Sequence, residues 1–195
     1  MPDMILDGTG SGSRARVNRG NALITAATIQ SEEHLISSAE GLTFFATTMD
    51  TADTLTVTAA GGNMLFLSNT HLDRQLVIAT VWLSTDTPGM QVKLLRNVTV
   101  GAVGNNNVTV PLSANFNNSS APLGTFYNWN EAGDGITGLS GGDSFLPFVL
   151  AAGVTQVLVE GSVILEKNNN IVIHAKNAGE LAIGVRFFYM EQEVV

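Results

Sequence analysis

The chain contains no cysteine. That excludes disulfide frameworks, thiolate nucleophiles and cysteine-based zinc sites together. Charge is scarce as well. Asp, Glu, Lys and Arg make up 13% of the residues, against roughly a quarter in an ordinary soluble domain. Only nine residues are Lys or Arg, and the net charge is -8. Such a balance excludes a body that grips nucleic acid through its phosphates, which needs clustered cations. No apolar run approaches the roughly 20 residues that cross a bilayer, so no membrane partner is expected. No long segment repeats apolar residues at i, i+3, i+4 and i+7, so little helix is expected. The opening MPDMILDGTGSG has neither a basic n-region nor an apolar stretch. The expectation is synthesis in a cytoplasm without a cleaved signal.

Hydrophobic residues reach 45%, which is ordinary, and 195 residues suffice for one sizeable core. Gly, Asn, Thr and Ser stand where charges are missing. A neutral polar surface suits broad contact with other protein, because few ions need desolvating. It equally suits a plain β protein with Thr- and Asn-rich strands and turns.

Residues 7–19 read DGTGSGSRARVNR, a glycine/serine hinge followed by Arg14, Arg16 and Arg19. Glycine and serine impose little conformation, so residues 1–20 are read as an extended arm that reaches across a neighbour. The DGTGSG stretch lacks the GK[ST] ending of a phosphate loop, and no nucleotide site is assigned there. Beyond the arm, short strands bounded by turn residues follow one another. Candidates are Ala22–Ile29, Leu42–Thr48, Thr54–Thr58, Met64–Leu67, Gln75–Ser84, Met90–Val100 and Val108–Leu112. Residues 113–143 are rich in Asn, Gly and Ser but carry Phe126, Tyr127 and Trp129, and read as a long ordered loop. Strands return at Val154–Leu165, Ile171–Ala175 and Leu181–Met190, the last two as a hairpin around Asn177–Glu180. In the final strand Leu181, Ile183, Val185, Phe187 and Tyr189 share one face, with Phe188 and Met190 on the other. Roughly eight to ten strands without helices predict a single all-β domain over 21–195, an antiparallel β-sandwich of the jelly-roll kind.

Chemistry is sparse. His34, His71 and His174 match no metal-ligand spacing. The acids are scattered, no GxSxG elbow exists, and no catalytic, cofactor or metal residue is assigned. Asn130-Glu131 with Asp134 offers oxygens of the calcium-ligating kind but not the EF-hand pattern. The aromatics of the long loop suit either a sugar-stacking platform or a subunit interface. Phe126, Tyr127, Trp129, Phe187, Phe188 and Tyr189 are therefore the interface candidates.

Several stretches together resemble a group of tailed-bacteriophage virion proteins. They are Asp7–Gly12, Ala22–Thr28 and Ser31–His34; then Arg96-Asn97, the run VTVPLSANFNNSSAP and Gly133–Gly138; and finally Asn170–Ala175 with Leu181–Tyr189. The resemblance implies a non-enzymatic structural component of the virion, most like the jelly-roll capsid cement (decoration) proteins. It implies the major capsid protein as partner, with Arg14, Arg16 and Arg19 as the coat-binding arm, and a location on the capsid surface. A homo-oligomer is expected, with a trimer favoured by the local threefold positions of icosahedral shells. The alternative is a neck- or tail-associated or fibre protein whose β-sandwich binds a glycan or receptor.

Overall fold

The computed structural model describes residues 16–17, 23–24, 42–48, 55–57, 61–108, 110–114, 121–153 and 155–191. The chain divides into two units, residues 1–31 and 32–195. In the first, β1 (Arg16–Val17) pairs antiparallel with β2 (Leu23–Ile24). The expected arm thus contains one strand of a short pair. Arg14, Arg19 and the rest of residues 1–20 lie outside the described residues.

The second unit is all-β among the described residues and is built on two antiparallel sheets. The first contains β3 (Thr43–Thr47), β4 (Leu55–Val57), β6 (Arg74–Ser84), β10 (Leu112–Ser113), β14 (Gln156–Leu165) and β16 (Gly179–Glu191). Its order is β10-β3-β16-β6-β14, with β4 pairing the start of β16. The second contains β5 (Gly62–Asn69), β7 (Met90–Arg96), β9 (Asn106–Val108), β11 (Gly124–Trp129), β13 (Asp143–Leu150) and β15 (Asn170–Ala175). Its order is β13-β7-β15-β5-β11-β9.

The sheets pack face to face through the alternating apolar positions. Leu181, Ile183, Val185, Phe187 and Tyr189 of β16 all enter one core, as period-two alternation requires. On β6 the inward set is Leu76 and Ile78, then Val81 and Leu83. The parity changes because the register jumps between Arg186 and Phe187 of β16, leaving Ala79 as an extra residue. Phe126 from the second sheet stacks on Phe187 from the first at 5.1 Å, and Phe44 stacks on Phe187 at 5.6 Å. Each such buried side chain contributes about 1.5–3 kcal/mol by leaving water.

Four expectations are corrected. β15 and β16 are not a hairpin: β15 pairs β5 and β7, whereas β16 pairs β3, β4 and β6. The Asn177 turn instead carries the chain from one sheet to the other. The expected strand 90–100 ends at Arg96, where Asn97 turns the backbone with φ 54°. The expected strand 108–112 is broken at Pro111, with β9 in one sheet and β10 in the other. The expected loop 113–143 contains β11 and β12 (Thr137–Ser140), and β13 follows directly.

The segment between β7 and β13 also supplies a third layer. β8 (Thr99–Gly104) pairs with β12, and Val103 and Leu139 pack on the outer face of the second sheet. There Phe66 and Val172 are 2% and 0% exposed. The two strands approach closely at Gly138, where φ is +76° and a Cβ would meet the Ala102 carbonyl at 2.1 Å. Buried asparagine ties this layer down. Asn170 accepts from Val98 N at 2.9 Å and donates to Val98 O at 3.0 Å.

Candidate interaction surface

Most of the aromatics expected at a subunit contact are consumed by the fold. Phe126, Trp129, Phe187 and Tyr189 are 3%, 1%, 0% and 1% exposed. Trp129 donates its indole N–H to Ala132 O at 2.8 Å, and Tyr189 donates its hydroxyl to Leu123 O at 2.8 Å. Burial pushes the Tyr189 phenol well above its ordinary range. Phe188 belongs to a small buried cluster with Val77 and Ala79 on the outer face of the first sheet. Tyr127 alone is half-buried, stacked on Phe66 at 5.8 Å. The other five are closed inside their own chain and present little surface of their own.

The acids and histidines do not converge. Among the described residues no three His, Cys, Asp or Glu lie close enough to hold a metal ion. The oxygens of the Asn130–Gly135 turn are engaged within the protein: Asn130 Oδ1 accepts from Ala132 N at 3.1 Å inside the turn, and Glu131 accepts from Thr56 N of β4 at 2.7 Å. His174, on the outer face of the second sheet, donates to Asn63 Oδ1 at 2.8 Å. Burial, and then Lys93 and Lys176, lower its pKa to about 4. One uncharged cleft of about 410 Å³ opens beneath β8, where Ser68, Thr70, Thr125, Tyr127 and Asn168 present hydroxyls and an amide. The two further amides lining it are committed inside the fold, Asn170 to Val98 and Asn69 to Arg74 and Leu165.

Exposed apolar residues lie elsewhere, Val108 opposite Tyr127 on the outer face of the second sheet and Leu112 on the outer face of the first. Val108, Val110 and Leu112 are 73%, 73% and 71% exposed, successive alternate positions along the chain as it crosses from β9 to β10. Pro111 between them is buried. Leu112 lies opposite Phe45 on β3. Phe45, 41% exposed, stacks on Trp82 of β6 at 6.3 Å, and the intervening strand β16 places Gly184 opposite Trp82. A Cβ at Gly184 would sit 3.2 Å from the indole, so glycine leaves the ring room. Beyond the indole, Thr47, Thr155, Ala182 and Gly184 help to line a shallow apolar dent of about 170 Å³.

Sequence alternation marked Val108, Val110 and Leu112 as strand residues without saying which face they show. A second signal was present. Between Arg96 and Glu131 there is no charged residue at all, in a chain with 26 of them (17 acidic plus 9 basic). No protein family, characterised protein or solved structure matches the chain significantly.

Proposed function

We propose that this chain is a non-enzymatic structural protein of a virion, a capsid cement (decoration) protein that binds the outside of the major coat lattice and stabilises the head. The body in this reading is a jelly roll. The support is strand order. Counting β3, β5, β6, β7, β13, β14, β15 and β16 as one to eight, the sheets run 1-8-3-6 and 2-7-4-5, an eight-stranded double Greek-key arrangement. The other strands are insertions and additions at its edges.

The observation that carries the functional part is exposed Leu112 with Phe45 and Trp82 on the outer face of the first sheet. A mostly apolar surface on a two-sheet body, with Arg186 as its charged neighbour on β16, fits gripping another protein, because little charge must shed water when it is covered. Arg14, Arg16 and Arg19 then pair with acidic groups of the coat. Mass spectrometry of purified particles tests the reading: copy numbers on the scale of the coat protein support it. Deleting residues 1–20 should leave a folded body that no longer decorates shells. Undiminished decoration by that deletion would remove the arm from the proposal.

A second reading, a glycan-binding module of a neck, tail or fibre, is favoured by the uncharged hydroxyl- and amide-lined cleft beside Tyr127. Loss of glycan-array binding in Tyr127→Ala, with assembly intact, would support it.

A further inference from the structure

The outer face of the second sheet is divided. One half lies under the β8/β12 layer, which covers Phe66 and Val172. The other half, toward the Asn177 turn, is open. There β13, β7, β15 and β5 run side by side and present Pro147 and Val149, Gln91 and Lys93, His174, and Asn63 in turn. Lys176 joins them just beyond β15. Its backbone N–H donates to Gln91 O at 2.8 Å, and its ammonium donates to Gln91 Oε1 at 3.2 Å. Pro147, Val149, Gln91 and Lys176 are exposed, while Lys93 and His174 are half-buried.

Cations gather on this face without acids. Lys93 stands directly opposite His174, and Lys176 follows His174 by two residues. Both are near enough to resist protonation of the imidazole. Among the described residues neither lysine forms an ion pair, whereas Arg96 at the far end of β7 has Asp143 beside it. The acid of the adjoining turn, Asp134, lies beyond Gly62 and Asn63 from the lysines. Like charges on neighbouring strands cost stability, and the chain holds 17 acids against 9 bases. A face that keeps two cations and no anion of its own is complementary to charge from outside.

We propose that this face binds an extended acidic segment of a partner protein, whose carboxylates at alternate positions pair with Lys93 and Lys176. Spacing selects the occupant. The lysines are diagonal neighbours on adjacent strands, about 7–8 Å apart at Cβ. Alternate residues of an extended chain share one face and lie about 7 Å apart. Carboxylates at adjacent positions point to opposite faces, so only one of them reaches a lysine. Charge excludes a long polyanion, which the net -8 of the chain repels. A short segment places its charge only where the cations are. Pro147 and Val149, exposed alongside on β13, give its apolar side chains a surface. The site is on the opposite sheet from Leu112, Phe45 and Trp82, so it neither needs nor tests the coat contact proposed there.

The test is an NMR titration of the full chain, at neutral pH and low ionic strength, with the end-capped pentapeptide SESES and its isomer SEESS. Arg14, Arg16 and Arg19 also attract these peptides, so binding is read at the backbone amides of Gln91, Lys93, His174 and Lys176. SESES is expected to shift all of them, to bind about threefold more tightly than SEESS, and to weaken as salt rises. Lys93→Gln/Lys176→Gln should bind it on the order of tenfold more weakly. That variant should keep the wild-type far-UV circular dichroism. Its His174 should titrate above the wild-type value of about 4, since both lysines depress it. Lys176→Gln alone, at the exposed position, serves should the pair fail to fold. No shift at these amides, equal affinity for the two peptides, or undiminished binding by a folded variant overturns the inference. Displacement of SESES by equimolar inorganic phosphate would assign the lysines to a small anion and overturns it as well.

Discussion

The flanks edged by β9/β10 and by β13/β14 expose similar side chains to different ends. Val110 is 73% exposed on one, and Val149 and Ile164 are 66% and 51% exposed on the other. Exposure of a single valine is therefore uninformative, since most protein surfaces carry such residues. What separates the flanks is company. Val149 sits two residues from Pro147 on a strand with a register break, whose far end carries an exposed ion pair. Val110 sits between two other exposed aliphatics in a stretch without charge. Val149 instead stands opposite Gln91 and diagonal to Lys93, so it belongs to a charged face. What an exposed apolar residue can meet is set by the charges beside it.

The largest effect tests whether the buried aromatics serve the core rather than a contact. Phe187 touches Phe44, Phe126 and Tyr189 and is fully buried. Phe187→Ala should lower folding stability by about 3–5 kcal/mol through a cavity the sheets cannot close. Urea denaturation reads this directly. A variant that keeps its stability but loses its shell binding would return the contact to the aromatic cluster.

That contrast also shows what was legible beforehand. The all-β class and the grouping of Leu181, Ile183, Val185, Phe187 and Tyr189 on one face of β16 followed from alternation, and the structure has both; that this face is the inward one did not follow. Which sheet a strand joins did not follow, because alternation carries no information on partners. The turn at Asn177 looks like a hairpin turn, yet it delivers β15 and β16 to opposite sheets. For the same reason Trp129 and Tyr189 read as surface aromatics, although each reaches a backbone carbonyl from inside the core. The abundant asparagines read as loop composition. Among the described residues four non-glycine residues have positive φ, and three of them are Asn97, Asn105 and Asn168, consistent with asparagine's tolerance of the left-handed region.

A smaller effect separates the body from the flank by pH. His174 lies on the outer face of the second sheet, facing Lys93. In the unfolded chain it takes a proton near 6.5, in the folded chain only near about 4. The unfolded state thus binds more protons between those values, so stability is full above pH 6.5 and falls as pH drops toward 4. His174→Gln should flatten that part of the stability curve. Any association of copies through the flank should not follow it, since no Asp, Glu, His, Lys or Arg lies between Asn97 and Asn130. Salt should if anything tighten it by screening the repulsion between acidic copies, whereas arginine-mediated docking weakens as salt rises. Association that weakens as ionic strength rises would show that charged groups take part in a contact between copies.

The smallest expected effect is the control that gives the others meaning. Val149→Glu places a carboxylate opposite Gln91 and diagonal to Lys93. Surface changes away from special features stay within about 0.5 kcal/mol, so folding should be unaltered. Binding of the SESES peptide should weaken about threefold, because the new carboxylate competes for Lys93. Val110→Glu adds the same charge at a comparably exposed valine on the other flank, and there the peptide should bind as before. If Val110→Glu weakens the peptide as much as Val149→Glu does, the acidity of the whole chain, rather than Lys93 and Lys176, governs the affinity. Val110→Lys separates these outcomes. It lowers the net negative charge far from the lysines, so repulsion by the whole chain predicts tighter binding and a local site predicts no change.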